Sequence, residues 1–238
     1  MWIESALFLT KNFCPNAPFI FMSTNKVYGD NPNKLKIIEK KTRWELNKKD
    51  KFFKGIDEKF SIDECTHSFF GVSKTYADLI VQEYGKNVGL KTVSFRGGCI
   101  TGPNHSGAKL HGFLSFLVKL SLTKKKYSLI GYKGKQVRDN LHSEDLVNCF
   151  WEYYKKPRKG EVYNIGGGRF SNCSIIEALD LVEDLTKIKI KREIIKKPRV
   201  GDHIWYISNL SKFKKHYPNW KQKYNTKKII EELIEYQK

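Results

Sequence analysis

The sequence lacks the features that would place a protein in a membrane or in an oxidising compartment. It has no run of about 18 apolar residues without charges, so no segment is suited to span a bilayer. The first residues contain no basic stretch before an apolar one, which argues against a signal peptide. The five cysteines are odd in number and form no Cys-x-x-Cys pair. We therefore expect a cytoplasmic protein without a disulfide framework or a zinc site.

Arginine is scarce, although the chain is strongly basic. The formal net charge is +19, yet only seven of the 44 basic residues are arginines, and the lysines are spread along the chain. Nucleic-acid recognition favours arginine because its planar guanidinium makes paired hydrogen bonds. A basic nucleic-acid-binding module therefore rests on charge alone, and we expect no specific nucleic-acid partner. A background bias toward lysine, together with attraction for anionic ligands, is the preferred explanation of the charge.

Apolar residues make up 40% of the chain, which is enough for a hydrophobic core. The run from Phe19 to Met22 is continuous, as is typical of a strand buried on both faces of a parallel sheet. Strand-like and helix-like segments alternate along the chain, which predicts an α/β fold. Strands are predicted at 19–22, 92–96, 127–130, 161–165 and 188–195, and helices at 1–17, 61–85, 112–122, 143–154, from 174 and at 226–236, with loops at 31–59 and 97–103.

The stretch 67–78 carries the spacing around which a catalytic site can be built. A Ser-x-x-Glu capping box, Ser61 with Glu64, is predicted to begin its helix, and a second box, Ser174 with Glu177, to begin the helix from 174. Phe70 and Lys74 are four residues apart and so share one helical face. A tyrosine at the first position would lie beside the lysine ammonium, whose charge would lower the pKa of the phenol toward that of a general base. This chain has phenylalanine at that position, and its side chain has no group that can donate or accept a proton.

Five motifs in order resemble the extended short-chain dehydrogenase/reductase family. They are Ser-Thr-x-x-Val-Tyr-Gly at 23–29, Gly-x-Ser-Lys at 71–74, Phe-Arg-Gly-Gly-x-x-x-Gly-Pro at 95–103, Val-Arg-Asp at 137–139 and Arg-Val-Gly-Asp at 199–202. The resemblance is strongest to nucleotide-sugar epimerases of the CDP-paratose 2-epimerase (CDP-tyvelose epimerase) type. It implies the C-terminal part of a Rossmann-like parallel sheet and a smaller mixed α/β substrate-binding lobe. The NAD-binding core would comprise 1–100 and the lobe mainly 101–238, with a strand and a helix near 136–185 returning to the core.

The resemblance also implies an activity, an NAD-dependent epimerisation of a nucleotide-diphosphate sugar. A hydride leaves the sugar carbon to bound NAD and returns to the opposite face. Thr24 occupies the position of the family residue that binds the reacting hydroxyl. Lys74 occupies the position of the lysine that holds the nicotinamide ribose. Phe70 occupies the slot of the catalytic tyrosine. The other implied residues are Ser23, Gly97 and Gly98 for the cofactor, and Asn104, Lys109, Arg138, Arg199 and Asp202 for the substrate, with the two arginines on the diphosphate and no metal.

The missing tyrosine leaves two alternatives open. Either another group replaces it, with Tyr28, His67, Tyr76 and Cys99 as candidates, or the chemistry is weak or absent. A positioned acid or base contributes roughly 10²–10⁴-fold to a rate. The alternative function is a catalytically impaired remnant or a nucleotide-sugar-binding subunit.

The sequence also lacks the Gly-x-x-Gly-x-x-Gly turn with which the family binds the dinucleotide pyrophosphate. By the family's pattern, the strands that bind the adenosine half would lie upstream of this chain. The strand at 19–22 would then be an open apolar edge, and such edges promote association. We expect an upstream fragment or a second copy of the chain to cover it, and low solubility without either.

Overall fold

The computed structural model describes residues 2–108, 111–199 and 201–237. Helices and strands alternate through most of these ranges, which confirms the predicted α/β class. The elements are α1 (Trp2–Phe13), β1 (Phe19–Thr24), β2 (Ile37–Glu39), β3 (Trp44–Leu46), α2 (Phe69–Lys86), β4 (Thr92–Gly97), β5 (Cys99–Thr101), α3 (Phe113–Leu122), β6 (Tyr127–Ile130), β7 (Val137–His142), α4 (Ser143–Lys155), β8 (Glu161–Ile165), β9 (Asn172–Ser174), α5 (Ile175–Thr186), β10 (Arg192–Ile195), β11 (Trp205–Tyr206), α6 (Ser211–His216) and α7 (Thr226–Gln237).

The first sheet is parallel and has β4 between β1 and β8. Every residue of β4 is buried, whereas Phe19 to Met22 of β1 are only half-buried. The prediction of a strand buried on both faces is therefore wrong for β1, because β1 pairs only with β4 within the described ranges. The three strands run in the same direction, so their carboxyl ends meet at one edge of the sheet.

A second sheet is organised around β7. This strand pairs in parallel with β5 and β11 and antiparallel with β9. The predicted loop at 97–103 contains β5, and the predicted loop at 31–59 contains the antiparallel pair β2–β3. Such three-residue strands are too short to show an alternating pattern, which explains why the sequence did not reveal them. The predicted strand at 188–195 is shorter than expected, because only β10 pairs, with β6.

The two predicted capping boxes have different outcomes. The box at α5 is confirmed: the Glu177 amide donates to Ser174 Oγ at 3.1 Å, and the Ser174 amide donates to the Glu177 carboxylate at 3.0 Å. The box at Ser61 is wrong, because its hydroxyl accepts from the Asp63 amide and closes a local turn. Instead Ser68 caps α2, by accepting from the Gly71 amide at 3.1 Å.

A buried ion pair fixes α2 against the first sheet. Arg96 on β4 donates from Nε and Nη2 to the two carboxylate oxygens of Asp78 on α2, at 3.1 and 2.9 Å. The Tyr28 hydroxyl accepts from Arg96 and donates to Asn164 at 2.8 Å. Both charged side chains are at least 95% buried, with exposures of 4% and 1%. This network holds α2 and the residues it carries at a fixed position along the sheet.

All seven arginines bond to carboxylates. Their geometry suits this role because the guanidinium presents several donors in a plane. The pairs are Arg43 with Glu45 and Glu177, Arg96 with Asp78, Arg138 and Arg199 with Asp202, Arg158 with Glu161, Arg169 with Glu45, and Arg192 with Asp180 and Glu183.

A close backbone contact between Gly85 of α2 and Gly160 before β8 provides a test of this packing. A Cβ on Gly85 would overlap the backbone of Gly160. We expect Gly85→Ala to lower the free energy of unfolding by about 1–3 kcal/mol. The cost of forcing the added methyl group against the Gly160 backbone exceeds the stability that alanine gains over glycine inside a helix. Urea denaturation measures this change. Ser73→Ala, on the exposed face of the same helix, is the control and should change stability little; equal effects would contradict the expected overlap.

Candidate functional site

A cavity of about 590 Å³ lies where β1 ends, beside β5 and β7. Its volume is in the range of ligand-binding pockets. Its walls come from the segment after β1, the start of α2, the residues around β5 and β7, the start of α3, the strand β6, the first residue of α5 and the loop before β11. The lining residues with polar side chains are Thr24, Asn25, Lys26, Ser68, Cys99, Thr101, His105, His111, Tyr127, Ser128, Gln136, Arg138, Asn140, Arg199 and Asp202, and Phe70 and Gly98 are also in the wall.

The cavity brings together some of the residues predicted for the site. Thr24, Phe70, Gly98, Arg138, Arg199 and Asp202 line it. Ser23, Lys74, Gly97 and Asn104 are not among its lining residues, and Lys109 lies outside the described ranges. The roles assigned to these residues stay predictions.

Thr24 and Lys74 lie near the same end of β1. Thr24 Oγ1 accepts a hydrogen bond from the Lys26 amide at 3.3 Å. Lys74 Nζ donates to the Met22 carbonyl at 2.9 Å and lies 4.9 Å from the centre of the Phe21 ring. The ammonium is thus held two residues before Thr24, beside the strand, while the threonine faces the cavity.

Only one of the four candidates to replace the missing tyrosine lines the cavity, and that is Cys99. The Tyr28 hydroxyl belongs to the buried network, and burial raises its pKa to about 12. Tyr76 donates to Glu4, and His67 Nε2 lies 2.7 Å from the Val27 carbonyl. Burial raises the pKa of the Cys99 thiol to about 11. The thiol is therefore protonated near neutral pH and is a poor base.

Arg138 and Arg199 converge on Asp202. Arg138 Nη2 is 2.5 Å from Oδ1 of this carboxylate, and Arg199 Nη2 is 3.5 Å from Oδ2. Burial opposes ionisation of Asp202, but the charges of Arg138, Arg199 and Lys26 outweigh it and hold the pKa of the carboxyl below its usual value. Three cations and one carboxylate leave this part of the cavity with a net positive charge, which suits an anion such as a diphosphate.

Lys26 is a cavity residue that the sequence analysis missed. Its Nζ donates to the Gly201 carbonyl at 2.9 Å, on the loop that carries Arg199 and Asp202. Burial, followed by the charge of Arg138, lowers the pKa of Lys26 to about 8. The available signal was its place in the polar segment after β1, two residues beyond Thr24, but one lysine among so many gave no reason to select it.

Gln136 and Asn140 were also missed. Asn140 lies on β7 two residues after Arg138, so these two side chains point to the same face of the strand, and Gln136 lies one residue before β7. The side-chain carbonyl oxygens of Gln136 and Asn140 are buried and accept no hydrogen bond from any residue in the described ranges. Both residues line the cavity, where a ligand hydroxyl or amino group would satisfy these oxygens.

In residues 2–108, 111–199 and 201–237, no group of three or more histidine, cysteine or acidic side chains is arranged to hold a metal ion. None of the helices there is long and apolar enough to cross a membrane.

Comparison with known proteins assigns the family. The profile of the NAD dependent epimerase/dehydratase family matches residues 9–166, which is more than half of the chain. The chain belongs to this family. The sequence is 28% identical over 232 residues to CDP-paratose 2-epimerase of Salmonella typhi, covering 95% of this chain and 66% of that protein.

Solved structures of the family have the same fold. The dTDP-glucose 4,6-dehydratase of Bacillus anthracis, in complex with NAD, matches with a TM-score of 0.76 at 25% identity, over 98% of this chain and 65% of that one. The UDP-glucuronic acid 4-epimerase of Bacillus cereus, with UDP-glucuronic acid and NAD, matches with a TM-score of 0.73 at 20% identity, over 99% and 65%. The predicted extended dehydrogenase/reductase membership and Rossmann-like fold are confirmed. The chain spans about 65% of the length of these two structures.

NAD is the cofactor of this family, and both matched structures contain it. Two residues of this chain fit its nicotinamide end. Ser23 Oγ is buried and bonds to no residue in the described ranges, and the Lys74 ammonium is held beside it on β1. The glycine-rich turn for the pyrophosphate does not occur in this sequence, so the fit concerns the nicotinamide end alone.

Proposed function

We propose that the chain is an NAD-dependent nucleotide-sugar epimerase of the CDP-paratose 2-epimerase type, acting on a CDP-deoxyhexose. The observation that carries the proposal is the single cavity that contains the Thr24 hydroxyl together with Arg138 and Arg199. A hydroxyl donor and a cationic site in one pocket suit a sugar joined to a diphosphate. The similarity to the Salmonella typhi epimerase supports the choice of CDP-sugar.

Each residue has a role in this proposal. Arg138 and Arg199 bind the diphosphate, and Thr24 donates to or accepts from the reacting hydroxyl. Asn140 accepts a hydrogen bond from a sugar hydroxyl. Lys74 and Ser23 hold the nicotinamide ribose. Bound NAD supplies the acceptor and then the donor of a hydride, and Thr24 keeps the sugar oxygen fixed between the two transfers.

The proposal extends to organisation and location. Residues 1–100 would form the NAD-binding part and residues 101–238 mainly the substrate lobe. The five cysteines are all free, which suits a reducing cytoplasm. The open edge of β1 would be covered by an upstream fragment or by a second copy of the chain.

The activity is tested with purified protein, added NAD and CDP-paratose in D₂O. We expect inversion at C2 without deuterium at that carbon, because the hydride returns from the dinucleotide and not from solvent. Nuclear magnetic resonance of the product measures both. Deuterium at the inverted carbon would contradict transient oxidation, and unchanged substrate would contradict the epimerase proposal.

A nucleotide-sugar-binding subunit without catalysis is the second candidate, and Phe70 favours it because this side chain lines the cavity without a hydroxyl. Calorimetry distinguishes the two functions. Binding of CDP in the absence of NAD, combined with no turnover in its presence, would support the second candidate.

A further inference from the structure

We infer that Lys26 is the acid–base residue of this cavity and replaces the phenol that Phe70 lacks. The inference rests on the proposed epimerase function and identifies a catalytic residue within it. Lys26 lies outside the slots that the sequence analysis assigned to catalysis. Three observations carry the inference: where the side chain lies, which alternatives the cavity offers, and how its amine is held.

The position of Lys26 joins the two parts of the proposed catalytic site. Its backbone amide donates to Thr24 Oγ1 at 3.3 Å, so the lysine is tied to the residue proposed to bind the sugar hydroxyl. Its carbonyl oxygen would lie 3.0 Å from a Cβ on Gly71, the neighbour of Phe70. Lys26 and Phe70 both line the cavity. The amine itself donates to the Gly201 carbonyl at 2.9 Å, and a Cβ on Gly201 would lie 3.5 Å from the side chain of Ser68, two residues before Phe70.

The other titratable groups near the amine are less suited to accept a proton. The Cys99 thiol is protonated near neutral pH because burial raises its pKa to about 11. Asp202 is engaged by two arginines, which hold its pKa below the usual value against the effect of burial. His105 is bonded through Nδ1 to Thr101 at 3.1 Å and packs against the His111 ring.

The surroundings of Lys26 provide an amine that is available near neutral pH. Burial and the cations Arg138 and Arg199 disfavour the ammonium, whereas the Asp202 carboxylate favours it, and the resulting pKa is about 8. A general base is most effective when its pKa is near the working pH. The Gly201 carbonyl accepts one N–H of the amine, which orients the side chain and leaves the lone pair available.

The proton that Lys26 takes up is returned within the same catalytic cycle. The neutral amine takes the proton of the sugar hydroxyl as the carbon is oxidised, and it becomes an ammonium. The ammonium returns that proton to the oxygen when the carbon is reduced from the other face. Carbon loses one hydride and regains one, with the oxidised nicotinamide dinucleotide of the family as the only co-reactant.

The first test measures the titration of Lys26 without catalysis. Protein labelled with ¹³C at the lysine Cε is titrated by nuclear magnetic resonance, and the signal absent from Lys26→Arg is assigned to Lys26. We expect a midpoint near pH 8 for that signal, and the signal should remain unchanged in Lys34→Arg, which alters an exposed lysine. Lys34 is a matched comparison because it also donates to a backbone carbonyl, that of Glu64. A midpoint for Lys26 above 10 would overturn the inference.

The second test separates proton transfer from charge. Lys26→Arg keeps the cation but cannot give up a proton, so we expect CDP binding to remain and turnover to fall roughly 10²–10⁴-fold. Lys34→Arg should change neither. In the unaltered protein, turnover should rise with pH through about 8, following the neutral amine. Adding Phe70→Tyr to Lys26→Arg should restore turnover.

The outcomes distinguish this inference from the proposed function. Normal turnover in Lys26→Arg would overturn the role of Lys26 and leave the epimerase proposal intact. Failure of Phe70→Tyr to restore turnover would show that Lys26 does not replace the phenol. Absence of turnover in the unaltered protein with NAD would overturn both.

Discussion

Replacing Asp78 with alanine is expected to lower the free energy of unfolding by about 3–5 kcal/mol, because it leaves the Arg96 charge buried without its partner. The pair lies between α2 and β4, and both side chains are almost inaccessible to water. Urea denaturation followed by circular dichroism measures the loss. Asp180→Ala is the matched control, since Asp180 bonds to Arg192 with 51% of its side chain exposed. We expect that control to change stability by about 1 kcal/mol or less.

A double substitution tests the physical reason. In Asp78→Leu with Arg96→Met, no buried charge remains, so much of the stability lost in Asp78→Ala should return. The return should be incomplete, because Arg96 also donates to the Tyr28 hydroxyl. A loss below about 1 kcal/mol in Asp78→Ala would mean that the pair does not hold α2 on the sheet.

Replacing Arg138 with methionine is expected to weaken CDP binding by about 10–100-fold, which corresponds to the loss of 1.5–3 kcal/mol of charged hydrogen bonding. The guanidinium is buried in the cavity wall and fixed by the Val137 carbonyl at 2.8 Å and by Asp202. Removal of Arg138 also leaves the negative charge of Asp202 less well neutralised, and this charge would repel a phosphate. Isothermal calorimetry at constant salt measures the change.

Two further variants test whether the loss of CDP affinity is specific to the guanidinium of Arg138. Arg158→Met removes an arginine paired with Glu161, with 43% of its side chain exposed, and should leave CDP affinity unchanged. Arg138→Lys keeps the charge but loses the paired donors, so its affinity should be intermediate. If Arg138→Met binds CDP as tightly as the unaltered protein while remaining folded, the diphosphate is bound elsewhere.

The fold was accessible from the sequence wherever a pattern was long enough to be periodic. The amphipathic α7, the strand β8 and the capping box at Ser174 all lie where the sequence placed them. Short strands such as β5 form by pairing with a strand that is distant in sequence, so no local sequence pattern predicts them. Ser61 has the stronger local signal, the Ser-x-x-Glu spacing, which Ser68 lacks, yet Ser68 is the cap of α2 in the folded chain.

The candidate site was accessible only in part. Ordered motifs identified Thr24, Arg138 and Asp202, which line one cavity. The direction of a side chain, however, depends on its neighbours in space: Tyr28 follows the same strand as Lys26, yet its hydroxyl enters the buried network and the lysine enters the cavity. Gln136 and Asn140 require knowledge of which face of β7 is turned inward.

The distribution of positive charge between the arginines and the lysines has a practical consequence. All seven arginines are committed to carboxylates, so the excess of positive charge behind the net value of +19 resides on lysine amines. Reagents that acetylate amines and spare guanidinium groups would therefore reduce the electrophoretic mobility of the protein toward the cathode while preserving the ion pairs of the seven arginines.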